Sequence, residues 1–129
     1  MNRAKAVVDS SGWIEVFTDG PHADVFLEAL RDEARLVVPS ITILEVFKWI
    51  LREHGEAEAI QAVAVMQRGQ VVDLDAPMAM AAAQLSHALR LPMADSVILA
   101  TARQAQARLY SMDADFQGLP DVQLVQRAG

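Results

Sequence analysis

The stretch KAVVDSSGWIEVF, residues 5–17, decides how this chain is read. Its first half is a Val-rich apolar run, too short for a helix, that ends in Asp9. Such a run suits a strand buried on both faces, as strands of parallel sheets are. Ser10, Ser11 and Gly12 break the pattern, and residues 13–17 read as a short helical turn. A carboxylate therefore stands at the carboxyl end of a first, buried strand.

The same pattern recurs downstream. Ala23, Phe26, Leu27 and Leu30 give the stripe of an amphipathic helix over 22–33. LVVP, residues 36–39, is a second buried strand stopped by proline. Ser40 is placed to cap a helix over 41–54 whose apolar residues almost encircle it. Gly55 separates it from a helix over 56–68, and residues 71–74 read as a third strand. Pro77 opens a helix with Met78, Ala81, Ala82, Leu85 and Leu89 on one face, ended by Leu91-Pro92. A helix over 94–107 and strands at 108–111 and 122–125 follow. Strands alternating with helices make an α/β domain with a mostly parallel sheet covered on both faces.

At 129 residues, 53% of them hydrophobic, the chain is expected to be one soluble domain spanning 1–129. It has no cysteine, which excludes disulfides and thiolate metal sites and makes a reducing cytoplasm the expected home. No apolar run is long enough to span a membrane, and the opening MNRAKAVV lacks a signal-peptide core. A net charge of −6 argues against a general nucleic-acid binder, which would carry a basic surface. It leaves room for an acidic pocket neutralised by a cation.

In open α/β sheets, ligands bind outside the carboxyl ends of the strands, where the strand order reverses. Asp9 and Asp113 follow strands at that edge, while Glu45 and Asp95 lie on helices that begin there. Each has a structural reading as well. Asp9 suits an N-cap. Thr42-x-x-Glu45 matches a capping box, and Lys48 offers Glu45 an ion pair. A start at Ser40, however, leaves Glu45 inside the helix beside Ile41 and Trp49, where a lone carboxylate is costly. Asp95 shares a stripe with Ile98, Leu99 and Ala102, where a core aliphatic is expected. A first-turn acid that merely complements the helix dipole would suit an exposed position better. One of Asp113 and Asp115 caps the turn before Gly118, which frees the other, and Asp73 and Asp75 read as turn and cap. Capping does not explain acids at four junctions on one edge. Gathered carboxylates repel unless cations neutralise them, and Mg²⁺ or Mn²⁺ takes oxygen ligands.

VVDSSGWIEVF, PSITILEVFKWI, LPMADSVILATAR and YSMDADF, in this order, resemble the PIN domain, and within it the VapC-like ribonuclease toxins. The similarity spans nearly the whole chain. It implies a PIN-like three-layer α/β/α fold with a mostly parallel, four- to five-stranded central sheet. It also implies an endoribonuclease whose Asp9, Asp95 and Asp113 hold Mg²⁺ or Mn²⁺, with Glu45 a further catalytic acid acting as ligand or water-orienting base. Ser10 matches the family's hydroxyl after the first acid, and Asp115 is a candidate fifth acid that can exchange roles with Asp113. The implied chemistry is in-line attack of a metal-activated water on an RNA phosphodiester. No histidine is required, and His22, His54 and His87 read as exposed. Arg52, Arg103 and Lys48 are candidate phosphate contacts, with plain surface solvation as the alternative. No organic cofactor is implied.

The resemblance further implies a cognate antitoxin and a homodimer, and no membrane association. Ile43, Phe47, Trp49 and Ile50 would suit a partner helix, or else pack against helix 56–68 within the monomer. Two other readings compete. In one, a PIN-like binding or regulatory module uses its acids as helix caps. The other, a phosphotransfer domain, wants a partner lysine, or a second Asp two residues after the first, where Ser11 stands.

Overall fold

A computed structural model of the protein describes residues 4–125, so 1–3 and 126–129 of the expected domain lie outside the described residues. Strand β1 (Lys5–Val8) leads directly into helix α1 (Ser10–Phe17). This is a full helix rather than the expected turn at 13–17. It starts early because Asp9 caps it, accepting the Gly12 N–H at 3.0 Å. Gly12 also lets α1 lie close against its neighbours, since a Cβ there would stand 2.6 Å from Val8 Cγ1 and 2.7 Å from the Phe26 ring. Helix α2 (Ala23–Leu30) and a 3₁₀ turn (Glu33–Arg35) precede β2 (Val37–Pro39).

Helix α3 (Ser40–His54) follows β2 without a loop. Ser40 is not its cap. The helix carries no side-chain cap, and Thr42 instead donates its hydroxyl to the Pro39 carbonyl at 2.6 Å. Helix α4 (Glu56–Met66), β3 (Gln70–Val72) and α5 (Ala76–Leu89) come next. Asp75 caps α5 as expected, accepting the Met78 N–H at 2.9 Å. Helix α6 (Met93–Gln104), β4 (Ala107–Ser111), a 3₁₀ turn (Ala114–Phe116) and β5 (Val122–Leu124) complete the described chain.

All strand pairings among the described residues are parallel: β1 with β4, β4 with β5, and β2 with β3. A single parallel bridge, Ala6 to Leu36, joins the two parts into the order β3-β2-β1-β4-β5. Alternate valines point to opposite faces. Val8 and Val38 meet Trp13, Phe26, Val46, Ile50 and Met66 on one side. Val7 and Val37 meet Leu91, Ile98, Leu99 and Leu109 on the other. Two helical layers thus sandwich the sheet, with α1–α4 on one face and α6 on the other. Helix α5 packs onto α6 through Met78, Ala82, Val97 and Ala100.

The apolar girdle of α3 is largely consumed by this packing. Ile50 is buried, and Ile43, Phe47 and Trp49 pack against the same cluster as residues of α4, which favours the intramolecular alternative for these side chains. Leu44 and Leu51 remain exposed, at 61% and 44%. Among the described residues, no helix is long and apolar enough to cross a membrane.

Candidate active site

The chain extends the sheet from β1 to β2 to β3, then returns to place β4 on the other side of β1. The order therefore reverses between β1 and β4, and the carboxyl ends of those two strands frame a crevice. Val8 pairs with Tyr110 at that end, so Asp9 and the segment 111–113 leave the sheet side by side.

Asp9 lies at the bottom of the crevice, 3% exposed. Its Oδ1 accepts the Ser11 hydroxyl at 2.7 Å and the Gly12 N–H at 3.0 Å, and its Oδ2 accepts the Ser111 hydroxyl at 2.5 Å. Burial nevertheless outweighs these bonds and pushes the Asp9 carboxyl above the ordinary carboxylate range, with the charge of Asp113 adding to the rise.

Asp95 reaches the crevice from the first turn of α6. Residues 96–102 of that helix are all buried, so the helix is locked in the core and Asp95 sits half-buried at its mouth. It makes no capping bond. Its carboxyl is pushed up to about 8, first by burial, then by a hydrogen bond with Asp113 and by the charges of Asp113, Asp9 and Asp115. Asp113 caps the 3₁₀ turn after β4, accepting the Asp115 N–H at 2.9 Å. That turn carries Asp115 back toward the crevice. Asp95, Asp113 and Asp115 each offer a carboxylate oxygen, and the three oxygens lie within 4.8 Å of one another.

Glu45 comes from the second turn of α3. Its Oε1 accepts the Ser10 hydroxyl at 2.5 Å, which ties it to the residue after Asp9. The capping box with Thr42 does not form, because the Thr42 hydroxyl is engaged with Pro39.

The structure thus brings Asp95, Asp113 and Asp115 together, holds Asp9 beneath them within electrostatic reach, and attaches Glu45 through Ser10. Asp115 belongs to the tight triad and Asp9 does not, although the two share a place in the wider crevice. Ion pairs among the described residues, such as Arg31–Glu28 and Arg68–Glu33, involve other acids. His54 faces Glu58 at 3.5 Å on the exposed surface. Two hydroxyls escaped the sequence reading in part. Ser11 stands in the turn after the first acid, while Ser111 is hidden as the last residue of β4.

An array of oxygen donors alone, drawn from four segments, with Asp9 and Asp95 buried enough to raise their proton affinity, fits a hard divalent cation. The PIN domain family matches residues 6–122, and the chain belongs to that family. No curated protein sequence matches the chain. Solved structures do. A toxin–antitoxin complex from Klebsiella pneumoniae aligns at 23% identity with a TM-score of 0.81, covering 95% of this chain and 100% of that one. VapBC from Salmonella typhimurium, bound to DNA, aligns at 17% identity and TM-score 0.74, covering 96% and 98%. VapC20 of Mycobacterium tuberculosis, a toxin that cleaves the sarcin–ricin loop, aligns at 17% identity and TM-score 0.73, covering 95% and 98%. At these identities the likeness is one of fold.

Proposed function

We propose that this chain is a Mg²⁺- or Mn²⁺-dependent endoribonuclease and the toxin of a toxin–antitoxin pair, working as one unit over residues 1–129 in the cytoplasm. The observation that carries the reading is the convergence of Asp95, Asp113 and Asp115 within 4.8 Å. The named toxin and toxin–antitoxin structures of the same fold support its biological setting.

In this reading Asp95 and Asp113 hold the cation, Asp115 supplies a further oxygen, and Asp9 approaches from below. When bound, the cation activates water and neutralises charge on the scissile phosphate. The protein's own part is positional. Burial of α6 fixes Asp95, the turn 114–116 fixes Asp115 against Asp113, and the raised proton affinity of Asp95 makes its proton the one that a cation must displace. Glu45 has Oε1 occupied by Ser10, which leaves Oε2 to orient the attacking water and take its proton. RNA and an antitoxin are the partners, and the homodimer remains part of the proposal.

A non-catalytic module with acids as caps draws on one real observation, since Asp9 and Asp113 do cap. It leaves Asp95 and Glu45 unexplained, because neither makes a capping bond. Expression of wild type and Asp95→Asn without an antitoxin, with growth and RNA integrity as readouts, separates the two. Growth arrest and Mg²⁺-dependent cleavage by wild type alone supports the nuclease. Equal behaviour of both discards it.

A further inference from the structure

Asp9 is the most heavily hydrogen-bonded acid of the crevice among the described residues. An ionised carboxylate offers about four acceptor positions, two on each oxygen. Oδ1 is filled, with Ser11 and Gly12 as donors. Among the described residues, Oδ2 receives a single donor, the Ser111 hydroxyl. The open position of Asp9 therefore lies on Oδ2, and its direction is set by where Ser111 takes the other.

Ser111 is itself pinned. It is fully buried at the end of β4, and while its hydroxyl donates to Asp9 its oxygen accepts the Asp113 N–H at 2.8 Å. One side chain thus fixes the carboxylate that ends β1 and the backbone that launches Asp113. Ser11 braces the same junction from the first turn of α1, donating to Asp9 Oδ1 and accepting the Met112 N–H at 3.2 Å.

We infer that Ser111 is a positioning residue of the acidic crevice: it occupies one lone pair of Asp9 Oδ2, turns the other toward the carboxylates of Asp95 and Asp113, and keeps Asp113 in register with Asp9. This rests on the cation reading proposed above. Groups that orient a metal's ligands typically change metal affinity by about 10–100-fold when removed.

The test is Mn²⁺ binding, followed by electron paramagnetic resonance and calorimetry, for wild type, Ser111→Ala, Ser111→Cys and Ser111→Thr. Thermal unfolding in EDTA is measured alongside. Cys keeps the volume of Ser but is a weak donor, so it tests the hydroxyl even where Ala fails to fold. The inference expects Mn²⁺ affinity to fall by about 10–100-fold in the Ala and Cys variants and to be restored by Thr, which keeps the hydroxyl. Wild-type Mn²⁺ affinity in the Cys or Ala variant, with only a lowered unfolding temperature, would make Ser111 a purely structural partner and overturn the inference. Failure of wild type to bind Mn²⁺ is a different result, and it overturns the cation reading together with the inference.

Discussion

The Asp95 and Asp113 carboxyls each place an oxygen within 4.8 Å of the other and of Asp115, and Asp95 is pushed up to about 8 by burial and by this neighbour. Carboxylates held this close, one of them half-buried, favour keeping a proton on one of the pair. In the metal-free protein the pair therefore stores a proton that the unfolded chain would release, and stability must depend on pH.

The direction follows from linkage. Asp95 titrates near 8 in the folded state against an ordinary 3.8, and Asp9 is raised as well. Between those values the folded protein binds more protons than the unfolded chain, so stability falls as pH rises. The contribution is complete below the ordinary carboxylate value and is lost as pH passes through about 8. Unfolding temperatures in EDTA should decline across that window. Asp95→Asn should flatten the decline and stabilise the metal-free protein at its alkaline end. An Asp95→Asn profile that falls as steeply as wild type would contradict this assignment.

Cation binding should reverse the trend. Mg²⁺ or Mn²⁺ competes with the stored proton, so affinity should rise with pH across the same window. At a free cation concentration 100 times Kd the folded state gains about 2.7 kcal/mol. Differential scanning fluorimetry with and without Mn²⁺ measures both effects. The same cation shift at both ends of the window would mean that it binds away from Asp95.

Much of this arrangement was legible in the chain. Short valine runs ending beside acids announced a parallel sheet with carboxylates at its carboxyl edge, and the valines do alternate between two buried faces. Asp95 stood out because an acid interrupts the stripe of a helix that proves to be buried from Ser96 to Ala102. The less legible features depend on contacts between distant segments. The Glu45 partner is Ser10, 35 residues away, and local pattern pointed instead to Thr42 and Lys48. Ser111 reads as an unremarkable strand end until β4 lies beside β1 and brings it to Asp9 from 102 residues away. Spacing rules describe neighbours along one helix or strand and carry no information about such pairs.

The Ser10–Glu45 bond predicts a separable effect. Ser10→Ala removes one hydrogen bond at a partly buried position, worth about 0.5–1.5 kcal/mol of stability. It also frees the Glu45 carboxylate to rotate, so cleavage should fall by about 10–100-fold in kcat while Mn²⁺ affinity changes little. Single-turnover cleavage of a model RNA measures the first quantity and calorimetry the second. Full activity in Ser10→Ala would remove Glu45 from the catalytic reading.

Gly12 predicts a cost of packing alone. A methyl group there would meet Val8 Cγ1 and the Phe26 ring, both in the fully buried core. Gly12→Ala should cost about 1–3 kcal/mol as the two side chains shift. Denaturant unfolding checks it, and unchanged stability would mean that α1 sits less tightly on β1 than its geometry requires.

Two helix caps, one inside the crevice and one outside its carboxylate triad, give a direct comparison of structure with chemistry. Asp75 caps α5 at an exposed position, and Asp75→Ala should cost about 0.5–2 kcal/mol with no loss of cleavage. Asp9 caps α1 in much the same way, yet Asp9→Asn should behave oppositely. Asn is as good an N-cap as Asp, so the bond from Gly12 can persist, and loss of a buried charge beside Asp113 relieves repulsion. Metal-free stability should therefore hold or rise, while Mn²⁺ affinity and cleavage collapse. Unfolding curves in EDTA and Mn²⁺ titrations of both variants decide the matter. If Asp9→Asn lost stability as Asp75→Ala does and kept its cleavage, Asp9 would be a cap and nothing more.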